Sequence, residues 1–203
     1  MTSEPTGLIA ILRGLTPAEA PAIGEALHGA GFRKIEVPLN SPEPLESIRL
    51  LRATLPEDTL VGAGTVLSVE DVSAVAAAGG QMVVSPNFNP AVVAETARLG
   101  LLSYPGVATA SEAFAALEAG ATALKLFPSN QVGIAGMKAW ASVLPAGTQM
   151  LPVGGVDDST LGAWLTAGAQ GAGVGSWLYR AGDTAADVGA RAASIQAVYD
   201  ANH

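Results

Sequence analysis

The 203-residue chain carries eighteen Asp and Glu against ten Lys and Arg, a net charge of −8, and no cysteine. This composition excludes disulfides, thiolate catalysis and cysteine-ligated metals, and it argues against a nucleic-acid surface. The apolar runs are too short to span a bilayer, the first seven residues lack the basic-then-apolar pattern of a secretory leader, and the cytoplasm is the expected compartment.

Leu8–Leu12 reads as an apolar strand closed by Arg13-Gly14. Thr16-Pro17-Ala18-Glu19 supplies a cap, a proline at the first helical position and a glutamate three residues on, which predicts a helix through Leu27 that stops near Gly29-Ala30-Gly31. Ile35-Glu36-Val37 is a second strand, ended by Pro38. Ser41-Pro42-Glu43-Pro44 opens a helix to Leu55. The same unit then repeats. Predicted strands are Thr59–Ala63, Gln81–Val84, Leu101–Tyr104, Thr122–Leu126, Gln149–Val153 and Gln170–Val174. Predicted helices are Val69–Ala78, Pro90–Leu99, Ala110–Ala119, Gly133–Val143, Asp158–Ala167 and Asp183–Tyr199. Ala-Gly pairs at 30–31, 78–79, 119–120 and 167–168 mark helix ends.

Strict strand–helix alternation predicts a parallel α/β sheet covered by helices. Eight units predict closure into a (β/α)8 TIM barrel, one domain over residues 1–203. An open doubly wound sheet is the alternative. It would place Gly-x-Gly-x-x-Gly after the first strand, where Arg13-Gly14-Leu15 stands instead.

Lys125 is the single charge in Ala123-Leu124-Lys125-Leu126-Phe127-Pro128. Burial disfavours the ammonium ion and lowers the amine pKa, and a neutral amine can form a Schiff base with a ketone. A lysine reaching out at a strand end, or paired to a carboxylate, accounts for the same stretch. In barrels chemistry gathers at the C-terminal strand ends. Those ends carry Arg13, Glu36, Thr65, Asn87, Thr109, Lys125, Gly154-Gly155 and Gly175-Ser176. Singly, Arg13 can be a surface cap, Glu36 an ion-pair partner and Thr65 a turn residue. Together, an acid, a guanidinium and an amine at one rim exceed what stability requires.

Two glycine turns, Val153-Gly154-Gly155-Val156 and Gly171-Ala172-Gly173-Val174-Gly175-Ser176, let backbone amides approach a ligand closely. Their place after the last two strands predicts a phosphate site. His28 and the terminal His203 read as solvated, which leaves no metal cluster and no Ser-His-Asp arrangement. Glu43, Glu46, Glu57, Asp58, Asp157 and Asp158 read as helix-start or loop charges. Trp140, Trp164 and Trp177 read as core or subunit contacts.

Ile9-Ala10-Ile11-Leu12-Arg13-Gly14, Glu36-Val37-Pro38-Leu39-Asn40-Ser41-Pro42, Gly62-Ala63-Gly64-Thr65-Val66 and Leu124-Lys125-Leu126-Phe127-Pro128 resemble the 2-keto-3-deoxy-6-phosphogluconate/galactonate aldolases. The two glycine turns extend the resemblance over nearly the whole chain. Asn40-Ser41-Pro42, Val153 before Gly-Gly, and Leu178-Tyr179-Arg180-Ala181-Gly182 look like the galactonate branch. The resemblance implies a (β/α)8 barrel, a homotrimer, and a class I aldolase with no metal or cofactor. Lys125 would be the Schiff-base residue and Glu36 the general base and acid. Arg13 and Thr65 would hold the substrate carboxylate, Phe127 would wall the reacting carbons, and Gly154, Gly155, Gly175 and Ser176 would hold the phosphate. The expected partner is a small phosphorylated keto acid, with no nucleic acid and no membrane. The other readings open at this point are the gluconate epimer as substrate, an unphosphorylated substrate, a phosphate-binding barrel isomerase or synthase, and a sugar-phosphate sensor.

Overall fold

Nine strands and eight helices lie along residues 6–202, the part of the chain that the computed structural model describes, and they alternate except at one point where two short strands follow each other. Residues 1–5, in the stretch read for a leader, and His203, read as solvated, lie outside the described residues. The strands are β1 (Gly7–Ile11), β2 (Lys34–Pro38), β3 (Leu60–Gly64), β4 (Met82–Val84), β5 (Leu102–Tyr104), β6 (Gly106–Val107), β7 (Leu124–Leu126), β8 (Met150–Pro152) and β9 (Gly171–Val174). The helices are α1 (Ala20–Gly29), α2 (Pro44–Thr54), α3 (Val69–Ala77), α4 (Pro90–Arg98), α5 (Ala110–Glu118), α6 (Ser129–Ala141), α7 (Leu161–Thr166) and α8 (Ala185–Asp200).

The expected closed (β/α)8 barrel is not what the strands form. They make two parallel sheets, six strands in the order β5-β4-β3-β2-β1-β9 and three in the order β6-β7-β8. Two local features divide them. Pro105 stands between β5 and β6 and has no amide hydrogen to give a ladder, so the single strand expected at Leu101–Tyr104 continues as a separate piece. Between β8 and β9 the pairing shrinks to one isolated bridge, Val153 to Gly173.

Side-chain alternation divides the core. In β1, Leu8 and Ala10 face the helices, while Ile9 faces the space between the sheets. Ile9, Met82, Val84, Tyr104, Ala123 and Leu151 make an inner cluster there. Leu124 and Leu126 of β7 pack outward with Ala113 and Ala116 of α5 and Met137 of α6. Strands buried on both faces read as continuous apolar runs, which is why a polar side chain within them is conspicuous.

Helix starts follow their caps. Ser68 and Asp71 form a reciprocal capping box on α3, as do Thr109 and Glu112 on α5. α1 begins at Ala20, later than Pro17, because the Glu19 carboxylate accepts from both the backbone N–H and the hydroxyl of Thr16 and closes a turn first. α7 begins at Leu161, not Asp158, because the Asp157 side chain accepts from the N–H groups of Ser159 and Thr160. α6 starts earlier than the expected Gly133, and Gly133, at φ 66°, interrupts it. Among the described residues no helix is long and apolar enough to cross a membrane.

Candidate active site

Period-two alternation aims two charged side chains into one space. Ile35 and Val37 of β2 pack in the outer cluster, so Glu36 between them turns inward. Leu124 and Leu126 likewise turn outward and leave Lys125 inward. Both are nearly inaccessible, Glu36 at 2% and Lys125 at 7%. They line a cavity of about 450 Å³ together with Arg13, Thr65 and Phe127.

Burial dominates the electrostatics. Desolvation pushes the Glu36 carboxyl up from 4.5 to about 7, against the pull of Lys125 and Arg13. The same desolvation lowers the Lys125 amine, and Arg13 lowers it further, while Glu36 works in the opposite direction. Each group is thus moved toward its neutral form. One carboxylate oxygen, Glu36 Oε2, is buried without a hydrogen bond from the described residues. The Lys125 Nζ lies 4.7 Å from the centre of the Phe127 ring.

The loops after the strands fix the remaining groups. Arg13, just past β1, donates from Nη1 to Asn40 Oδ1 at 2.7 Å, and the Gly14 N–H donates to Ser41 Oγ at 3.0 Å. Asn40 and Ser41, two of the residues that carry the branch resemblance, therefore hold the β1 loop in place. Thr65, just past β3, sits at φ 56°, a left-handed backbone that β-branched residues rarely adopt. Gly154 and Gly155 take φ values of 100° and 72°. The Ser129 hydroxyl donates to the Gly154 carbonyl at 2.6 Å. Carbonyl and N–H of one trans peptide point in opposite directions, so this bond turns the Gly155 N–H away from Ser129.

Of the rim residues expected from sequence, Arg13, Glu36, Thr65, Lys125, Phe127, Gly154, Gly155, Gly175 and Ser176 line this one cavity. Asn87 and Thr109 are not among them. Asn87 is exposed beyond β4, and Thr109 is spent capping α5. The cavity also takes in Pro86, Asp157, Trp177 and Arg180, to which the sequence reading gave no site role. Arg180 had a usable signal, since it stands one turn beyond Ser176. A neutral amine facing an acid near neutrality can attack a carbonyl and pass protons to and from the adduct. Amides of consecutive left-handed glycines can hold an anion beside it.

No group of three or more His, Cys, Asp or Glu that could hold a metal ion occurs among the described residues. Residues 4–191 match the model of the aldolase family described as KDPG and KHG aldolase. The chain is 46% identical over 192 residues to the 2-dehydro-3-deoxy-6-phosphogalactonate aldolase of Escherichia coli K12, covering 95% of this chain and 94% of that one. A solved structure described as native KDPGal superposes with a TM-score of 0.94 at 45% identity, over 100% of this chain and 97% of that one. A KDPG aldolase from Legionella pneumophila, with pyruvate captured as a covalent carbinolamine, superposes with a TM-score of 0.80 at 27% identity, over 98% of this chain and 94% of that one. With nearly the full length matched in both sequence and shape, the chain belongs to the KDPG and KHG aldolase family.

Proposed function

We propose that the chain is a class I aldolase that cleaves 2-dehydro-3-deoxy-6-phosphogalactonate to pyruvate and D-glyceraldehyde 3-phosphate. One observation carries the reading: a buried amine and a buried acid, both pushed toward neutrality, line one cavity together with the Arg13 guanidinium. The galactonate relative's name and identity support the choice of substrate. The carbinolamine in the Legionella enzyme supports the covalent step.

In this proposal the neutral Lys125 amine attacks the C2 ketone, and the carbinolamine loses water to leave an iminium. Glu36 removes the C4 hydroxyl proton. The C3–C4 bond then breaks, its electron pair flowing into the iminium, so that an aldehyde leaves and an enamine remains. Protonation at C3 and hydrolysis free pyruvate and restore the amine. The unpartnered Glu36 oxygen supports its role as the proton carrier, directly or through a water. Arg13, steadied by Asn40, would hold the substrate carboxylate together with Thr65. Phe127 would wall the reacting carbons. Gly154, Gly155, Gly175 and Ser176 would bind the phosphate. The working assembly is a homotrimer, which equilibrium sedimentation can weigh.

Pyruvate release from the two C4 epimers tests the substrate. The proposal expects the galactonate epimer to be cleaved with the higher kcat/KM. Equal or faster cleavage of the gluconate epimer would overturn the galactonate assignment. No pyruvate from either would overturn the lyase.

A further inference from the structure

We infer that Arg180 is the cation of the phosphate end of the cavity and selects phosphorylated over unphosphorylated keto acids; this rests on the reading of the substrate given above. Three basic side chains line the cavity, Arg13, Lys125 and Arg180, and of these Lys125 is the neutral nucleophile in the reading above. Arg13 acts electrostatically on both Glu36 and Lys125, which places its charge at the reacting end. Arg180 belongs to the other end. Its Nε donates to the Ser176 carbonyl at 3.1 Å, so the guanidinium is anchored to the same loop whose residues would hold the phosphate.

The neighbourhood calls for such a charge. Asp157 lines the same cavity, and hydrogen bonds from Ser159 and Thr160 hold its carboxyl below its usual range. A phosphate bound only by glycine amides would therefore meet a fixed negative charge in a chain that is already acidic. Asp183, an acid three residues beyond Arg180, is otherwise engaged. It accepts from the Arg180 backbone N–H and is ion-paired to Arg191. A single bond from Nε to Ser176 still leaves the terminal nitrogens of the planar fork, the part that matches a phosphate edge.

The test compares the wild-type protein with Arg180→Gln, Arg180→Lys and Arg98→Gln, the last making the same change in net charge on the outer helix α4. In Arg180→Gln, KM for the phosphorylated substrate is expected to rise about tenfold or more, the usual size of a lost charge-assisted bond. The kcat is expected to stay within about twofold, and KM for the unphosphorylated keto acid to be unchanged. Arg180→Lys should recover part of the loss, and Arg98→Gln should match wild type. An unchanged KM for the phosphorylated substrate, or an equal rise for both substrates, overturns the assignment. Calorimetric titration with inorganic phosphate separates this inference from the lyase reading, because it needs no turnover. Weaker phosphate binding in Arg180→Gln than in wild type supports it. Equal binding in both, or binding in neither, overturns it. Absence of a reducible pyruvate adduct on wild-type Lys125 would count against the lyase alone.

Discussion

The carboxylate of Glu36 lies directly against the α-carbon of Gly64, so closely that any side chain at position 64 would occupy its place. The two residues sit on neighbouring parallel strands, Glu36 opposite Gly62 and Pro38 opposite Gly64. Glycine on this face of β3 is what makes room for an acid inside the fold.

Gly64→Ala should therefore damage catalysis more than folding. The added methyl displaces the carboxylate, and a displacement of about 1 Å in a catalytic group can cost on the order of 10²-fold in rate. Overpacking should cost about 1–3 kcal/mol of stability. A variant that melts as a folded protein and keeps wild-type kcat would show that the position of Glu36 does not matter.

Glu36→Gln should lower kcat on the order of 10²-fold or more, the usual size of an acid–base contribution. It should also change how stability responds to pH. The folded carboxyl titrates at about 7 against 4.5 when unperturbed, so the folded state holds this proton more tightly than the unfolded state does. The stabilisation from that proton is complete below about pH 4.5 and is lost as pH rises through 7, about 3 kcal/mol over the whole window. Glutamine has no proton to lose. The unfolding free energy of the variant should thus gain on wild type between pH 4.5 and 8, as read by urea denaturation at several pH values. Parallel pH profiles would contradict the raised carboxyl.

Thr65 is held in a left-handed conformation at the rim of the cavity, a conformation that costs a β-branched residue about 1–2 kcal/mol. Thr65→Gly should relieve that strain, raise the unfolding free energy by about 1 kcal/mol and raise KM at the same time. Stability traded against binding marks a residue kept for its side chain. An unchanged KM would mark a simple turn, and a destabilised variant would contradict the strain.

Much of this was legible in the residues, for physical reasons. A charge inside an apolar strand is costly, so Lys125 and Glu36 stand out before any fold is known. Ser68-Val69-Glu70-Asp71 announced the start of α3 because capping is local chemistry. Thr109 misled for the same reason. Its position after a strand matched the rim pattern, yet its hydroxyl accepts from the Glu112 N–H in a capping box. Counting units correctly foretold the alternation but not the division into two sheets, because strand pairing is decided between distant residues. Pro105 could have warned of a broken ladder, but one proline does not say which neighbour it faces. Arg180 and Asp157 stand close in sequence to Ser176 and Gly155, but only the folded loops show that both line the cavity.

Reductive trapping with pyruvate and borohydride, followed by peptide mass mapping, asks directly whether the buried amine is the nucleophile. The chain has three lysines, Lys34, Lys125 and Lys138, so the adduct can be assigned without ambiguity. The expected result is a pyruvate adduct on Lys125, forming faster as pH rises, with a midpoint below the ordinary 10.5 of lysine because burial lowers this amine. An adduct confined to Lys34 or Lys138, or none at all in protein that still releases pyruvate, would contradict the Schiff-base mechanism.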